Sequence, residues 1–383
     1  MPKFLLFLLV LVLTTILLLT EIGKSSPEGV ALVSSLVPLS SQRRGALDLA
    51  KKVAGLSLEQ KIGQMMMVSI SDTSLSTTTA EWLRMRHIGG VILLGKNVVS
   101  STQITQLTRA LQDNAGAAPR LFIAVDQEGG RVSRFLFLRE LTTQQEITGQ
   151  DHAFRVASRR GKELVGLGVN VNFSPVLDVA RSSKDFVASR AFLGSDAARV
   201  ATLGQAMIKG YQNEGVVAVA KHFPGHGGTT IDSHRALPVL HVSRAGLDLA
   251  LAPFRAAVAS KVGMVMVGHL KIPSVDASNP SSLSPTFIDG ILRREQGYNG
   301  VIITDDLGMG AIMRKSKLSD AGVQAVKAGV DIVLAVRSVP EYDELYKKLL
   351  SAARSGQIPS KQIDASVARI LLLKKQLSHE HIF

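Results

Sequence analysis

Cysteine is absent from all 383 residues, which excludes disulfides, thiolate nucleophiles and cysteine-bearing metal sites. Aromatic residues are scarce, at 5%, and the 31 acidic residues are outnumbered by 44 Lys and Arg, leaving a net charge of +13. Despite that charge, no basic run longer than a pair interleaves with aromatics, and no nucleic-acid-binding motif is present. The excess is read as a solvated basic surface, and nucleic acid is not expected as a partner. A hydrophobic content of 46% with 33 glycines excludes disorder for the bulk of the chain and suits a large α/β core.

Charge is missing from one stretch in particular. Phe4–Thr20 reads FLLFLLVLVLTTILLLT, long for the core of a signal peptide and short for a relaxed membrane span. No A-x-A cleavage signal follows, which favours an anchor over a cleaved leader but leaves both open. Without cysteine there is no lipidation site. Residues 1–24 are therefore expected to be a signal peptide or membrane anchor, residues 25–46 a linker, and residues 47–383 the folded domain. Export follows, with membrane contact through residues 4–20.

From Leu47 onward, short apolar runs alternate with amphipathic stretches such as Leu247–Ala259 and Glu341–Arg354. The runs fall at Gln64–Val68, Gly90–Leu94, Leu121–Val125, Val169–Phe173, Val216–Ala220, Met264–Val267, Val301–Thr304 and Ile332–Ala335. Continuous apolar strands linked by helical crossovers predict a parallel sheet covered on both faces. Eight of them predict an α/β fold of the (β/α)₈ barrel type, with a doubly wound open sheet as the alternative. The chain closes with a predicted amphipathic helix over Ser355–Leu377, and the little that follows leads us to expect a single domain.

Such barrels place their chemistry at the C-terminal strand ends. Polar residues fall at those ends: Asp126 to Gly130 after the third run, Ser174 to Asp178 after the fourth, Lys221 and His222 after the fifth. Gly268 and His269 follow the sixth, and Asp305 and Asp306 the seventh. A carboxylate at an apolar strand end faces the barrel mouth, and a tandem aspartate lets one residue cap the next helix while the other reacts. Strand alternation does not say which.

The loop KHFPGHGGTTIDSHRALP, residues 221–238, carries Asp232 and His234 two positions apart among glycines. A carboxylate accepting from one ring nitrogen fixes the imidazole tautomer and favours protonation of the other, a general acid near neutrality. Loop mobility would let His234 swing onto a leaving-group oxygen. The set His222, His226, His234 and Asp232 reads less well as a metal site, because Pro224 and Gly225 prevent a helix from aligning the first two. No metal and no cofactor is expected. Asp126 and Arg134, with Arg190 and Lys221, suit a polyhydroxylated ligand: carboxylates accept from vicinal hydroxyls and cations donate.

Taken in order over residues 56–376, LSLEQKIGQMMM, HIGGVILLGKN, AVDQEGGRVSR, GVNVNFSPVLDV, KHFPGHG with DSH, and GVIITDDLGM resemble glycoside hydrolase family 3, in its β-N-acetylglucosaminidase branch. Gly228 stands where many members have Asp, and Ala191 where Ser is common. The resemblance implies Asp305 as nucleophile, His234 as acid/base and Asp232 as its partner. It also implies Asp126, Arg134, Arg190, Lys221 and His222 as sugar-binding residues. The implied activity is a retaining exo-β-N-acetylglucosaminidase on terminal β-linked N-acetylglucosamine of small oligosaccharides or muropeptide-type fragments. Separately, a monomer is expected. The alternatives are a β-glucosidase or β-xylosidase of the family, an N-acetylglucosaminide phosphorylase, since a histidine adds no negative charge near an anionic acceptor, and a non-catalytic wall-binding protein.

Overall fold

The structure, a computed structural model, describes residues 41–115, 119–192 and 194–378, and of 41–46 and 378 only the backbone. The chain divides into two units, 1–52 and 53–383. In the first, only residues 41–52 are described, all in the helix Ser41–Ala54. The apolar run Phe4–Thr20 lies outside the described residues. Among the described residues no helix is long and apolar enough to cross a membrane.

The second unit is a parallel barrel. Its strands are β1 (Met66–Ser69), β2 (Gly90–Leu93), β3 (Phe122–Val125), β6 (Val171–Asn172), β7 (Val217–Phe223), β8 (Met264–Val267), β9 (Val301–Thr304) and β10 (Val333–Ala335). A small hairpin, β4 (Gln127–Gly129) with β5 (Val132–Ser133), intervenes after β3. The sheet order is β10-β1-β2-β3-β6-β7-β8-β9, every neighbouring pair parallel. The ring closes between β9 and β10, where Ile303 bridges Ile332 and the Thr304 N–H donates to the Ile332 carbonyl. All eight apolar runs became barrel strands, and their residues are buried because they face either the interior or the helical layer.

Helix starts follow local capping chemistry. Ser243 Oγ accepts from the Gly246 N–H at the head of Arg244–Ala259. Glu341 reaches back to the Ser338 N–H and hydroxyl at the head of Val339–Arg354. The last helix runs Ser360–Ser378 and not from Ser355 as expected. Gly356 adopts φ +77° after Arg354, ending one helix, and Pro359 delays the next by disfavouring helical backbone at the residue before it.

At the N-terminal end of the barrel, buried Asp331 accepts from Arg293, from Arg369 at 2.8 Å and from the Ile302 N–H at 2.8 Å. That end is a structural ion cluster. The C-terminal end carries the cavity.

Candidate active site

Asp126 follows β3, and the hairpin behind it is bolted to β6. Asn172 Oδ1 accepts from the Gln127 N–H and its amide donates to the Gln127 carbonyl, both at 3.0 Å. The Gln127 side chain accepts from the Arg134 and Phe135 N–H groups at 2.9 and 3.0 Å. Gly129, at φ +96°, turns the hairpin where a Cβ would lie 2.1 Å from the Thr142 carbonyl. Beneath it the fully buried Arg160 donates to the Glu128 carbonyl at 2.9 Å, the Thr142 carbonyl at 2.7 Å and the Tyr211 hydroxyl at 3.0 Å.

This scaffold fixes a charge cluster. Lys221 Nζ, from β7, lies 2.7 Å from Asp126 Oδ1 and 2.6 Å from Glu128 Oε1. Arg134 approaches Asp126 Oδ2 at 3.4 Å, and Arg190 forms a two-pronged pair with Glu128. Burial alone would raise the Glu128 carboxyl, but Lys221 and Arg190 outweigh it and hold it down to about 2. Asp126 is likewise kept below its ordinary value, burial being overcome by Lys221 and then Arg134. Both carboxylates are thus ionised and ready to accept hydroxyl protons.

His222 follows Lys221 on the same strand. Its Nδ1 donates to buried Asp178 Oδ2 at 2.7 Å, and Asp178 Oδ1 accepts from the His222 and His226 N–H groups at 3.2 and 2.7 Å. Asp305 directly follows β9, its N–H bonded to the Val267 carbonyl and its Oδ1 accepting from the Asp306 N–H at 2.8 Å. Burial pushes the Asp305 carboxyl up, yet the His222 and His269 rings, the Asp306 N–H and Lys221 together keep it below the ordinary value. It therefore stands ionised, the state an attacking oxygen requires.

Asp306 does something else. Its Oδ1 accepts from the Gly308 and Val336 N–H groups, each at 2.8 Å, pinning the turn after β9 to the end of β10. Burial, with help from neighbouring Asp305, pushes its carboxyl up to about 6 against those two N–H groups. Its carbonyl accepts from His269 Nε2 at 2.9 Å, while His269 Nδ1 lies 2.7 Å from Ser282 Oγ. A carbonyl can only accept, so the His269 proton sits on Nε2.

His234 Nδ1 lies 2.8 Å from Asp232 Oδ1, which also accepts the His234 N–H at 2.9 Å. Burial is outweighed by these bonds, and the Asp232 carboxyl is held below its ordinary range. The loop is tied to the turn after Asp305: the Gly310 and Ala311 N–H groups donate to the His234 and Ser233 carbonyls. A Cβ on Gly310 would sit 2.7 Å from the His234 carbonyl, so the approach needs glycine.

Asp126, Arg134, Arg190, Lys221, His222, His234 and Asp305 all line one cavity of about 260 Å³ at the barrel mouth. Asp232 stands behind His234 instead of lining it. Among the described residues, no group of three or more metal-ligating side chains is placed to hold an ion. Sequence reasoning assigned no role to Glu128, Asp178, His226 and His269. Glu128 and Asp178 lie inside motifs already singled out, but only the fold shows that each partners a residue far along the chain.

A (β/α)₈ barrel whose mouth joins an ionised aspartate, a His–Asp pair and a cluster of carboxylates and cations is suited to nucleophilic and acid–base chemistry on a polyhydroxylated ligand. The chain belongs to glycosyl hydrolase family 3: residues 57–373 match the Glycosyl hydrolase family 3 N terminal domain. It is 35% identical over 335 residues to Beta-hexosaminidase A of Pseudoalteromonas piscicida, covering 80% of this chain but 56% of that protein. It is 34% identical over 375 residues to Beta-hexosaminidase LpqI of Mycobacterium tuberculosis, covering 93% of this chain and 92% of the relative. Among solved structures, a family 3 β-N-acetylglucosaminidase from Paenibacillus superposes with a TM-score of 0.83 at 36% identity, covering 86% of this chain and 64% of that one. The chain thus spans little more than half of one relative and nearly all of another.

Proposed function

We propose that this protein is a retaining exo-β-N-acetylglucosaminidase that releases terminal β-linked N-acetylglucosamine from small oligosaccharides, muropeptide-type fragments included. The observation that carries this reading is the meeting of Asp305 and His234 in one cavity with the charge cluster around Lys221. A volume of about 260 Å³ is small beside the roughly 300–1,000 Å³ of ordinary ligand pockets, which suits one terminal sugar. The printed names of the relatives, β-hexosaminidase and β-N-acetylglucosaminidase, support the choice of sugar.

In this mechanism Asp126, Arg134, Arg190, Lys221 and His222 hold the sugar. Asp305 attacks the anomeric carbon as the bond to the leaving oxygen breaks, and His234 gives that oxygen its proton. A glycosyl ester forms on Asp305. His234 then takes a proton from water, whose oxygen attacks the same carbon and restores Asp305, so configuration is retained. The second carboxylate of ordinary retaining enzymes is replaced by the His234–Asp232 pair.

The test is turnover of p-nitrophenyl β-N-acetylglucosaminide by the protein from Leu47 onward, with and without phosphate, set beside the glucoside. Turnover is expected, and Asp305→Asn should lower it about 10⁴-fold or more. Preference for the glucoside would overturn the substrate, and near-normal turnover by Asp305→Asn the mechanism. A sugar phosphate formed only with phosphate present would make the acceptor phosphate in place of water.

The uncharged run Phe4–Thr20 further supports an exported enzyme, anchored or secreted, that acts outside the cytoplasm. Cell fractionation with N-terminal sequencing checks this. Recovery from the cytoplasm with Met1 intact would refute it.

A further inference from the structure

His226 has no part in the mechanism above, yet its ring is 2% exposed and lines the sugar cavity beside His222 and His234. Phe186 packs 5.5 Å away. Nδ1 lies 2.9 Å from Thr229 Oγ1, and the same hydroxyl donates to the His226 carbonyl at 3.1 Å. A hydroxyl has one proton. Given to Nδ1, it would leave the carbonyl without this donor. Given to the carbonyl, it leaves Oγ1 to accept from an Nδ1–H, so the arrangement that satisfies both acceptor and ring puts the ring proton on Nδ1. Burial keeps the ring neutral, pushing its pKa below the usual value in spite of the Asp178 carboxylate. Nε2 is then a bare lone pair, buried with no partner in the protein.

One other buried orphan lines the same cavity among the described residues: Arg134 Nε, which can only donate. Among its fully buried side-chain atoms the cavity therefore presents one unmet acceptor and one unmet donor. Sugar hydroxyls are donor and acceptor at once, and Asp126 is already poised for them. A secondary amide divides the two functions, donor on nitrogen and acceptor on oxygen, and is the group that such a cavity lacks.

We propose that His226 Nε2 accepts the N–H of the substrate's 2-acetamido group, and that Thr229 serves as the positioning residue that keeps this nitrogen unprotonated. The inference rests on the function proposed above and names the side chain that reads its distinguishing group. Without a donor opposite, Nε2 stays desolvated and unpaired once the sugar excludes water, and that loss falls on kcat/KM.

The experiment isolates the N–H. Wild type, His226→Phe, His226→Gln and Thr229→Val are compared on p-nitrophenyl β-N-acetylglucosaminide and on the analogue with an acetate ester at C2, which keeps the carbonyl and lacks the N–H. Wild type is expected to favour the amide over the ester by about 10-fold or more in kcat/KM. In His226→Phe the ratio should fall to near 1, and in His226→Gln, whose amide oxygen can accept, it should largely survive. Thr229→Val, with the histidine in place, should lower the ratio severalfold by freeing the ring to protonate Nε2, which keeps a readout if the phenylalanine variant does not fold. Equal losses on both substrates, or a wild type indifferent to the amide, would overturn the assignment. A wild type with no turnover of the N-acetylglucosaminide sinks the proposed function and this inference together, whereas normal turnover with an unmoved ratio sinks the inference alone.

Discussion

At the scale of single residues, two adjacent aspartates stand in opposite electrostatic states, and the proposed mechanism gives the reaction to one and leaves the fold to the other. Asp305 is held ionised by the histidines and lysine around it, whereas Asp306 gives its carboxylate to two backbone N–H groups and is pushed up to about 6. In an unfolded chain an aspartate titrates near 3.9. Between those values the folded protein keeps a proton that the unfolded chain has released. The stability this group contributes is therefore complete below about pH 4 and is lost as pH rises through 6. Asp306→Asn leaves an oxygen for both N–H groups and removes the ionisation. Urea denaturation should show the variant gaining roughly 2–3 kcal/mol on wild type between pH 4 and pH 7.5, and parallel curves would count against this. The sequence carried the tandem but not the division of labour, because the choice is made by β10, whose Val336 N–H arrives from 30 residues away.

At the scale of elements, the strands were legible and their supports were not. Val301–Thr304 and Met264–Val267 appear as read, since four consecutive buried apolar residues are the signature of a strand covered on both faces. The β4–β5 hairpin left no such signal: it is two or three residues long per strand, and a buried arginine on a helix holds it. Arg160, in the helix Gln150–Gly166, would be read from sequence as a solvated charge, yet it is fully buried beneath Glu128 and Thr142. Arg160→Met should cost about 3 kcal/mol or more, leaving three carbonyls and the Tyr211 hydroxyl short of a donor at roughly 1–3 kcal/mol each. Equilibrium unfolding measures it, and a loss below about 1 kcal/mol would mean that water replaces the guanidinium.

At the scale of the whole molecule, the barrel separates its tasks by end. The Arg293–Asp331–Arg369 cluster closes the bottom, and the cavity residues sit at the strand ends opposite, the division expected of such barrels. That convergence explains why a one-dimensional reading recovered Asp126, Lys221, His222 and Asp305: each directly follows an apolar run, and the fold turns that position into a common rim. Arg134, Arg190 and His234 lie further along the connecting loops and were read from their residue chemistry and the family resemblance. Of the partners behind them it recovered Asp232, two positions from His234, but not Asp178 or Glu128, which meet His222 and Arg190 across 44 and 62 residues. One consequence of the rim concerns the reach of outside reagents. His222, His226 and His269 are 6%, 2% and 0% exposed, while the His234 side chain is 62% exposed. A water-borne electrophile such as diethyl pyrocarbonate thus finds the His234 imidazole open to acylation and the other three sheltered. Under the mechanism proposed above, that one adduct should abolish turnover, and a ligand filling the cavity should slow its formation.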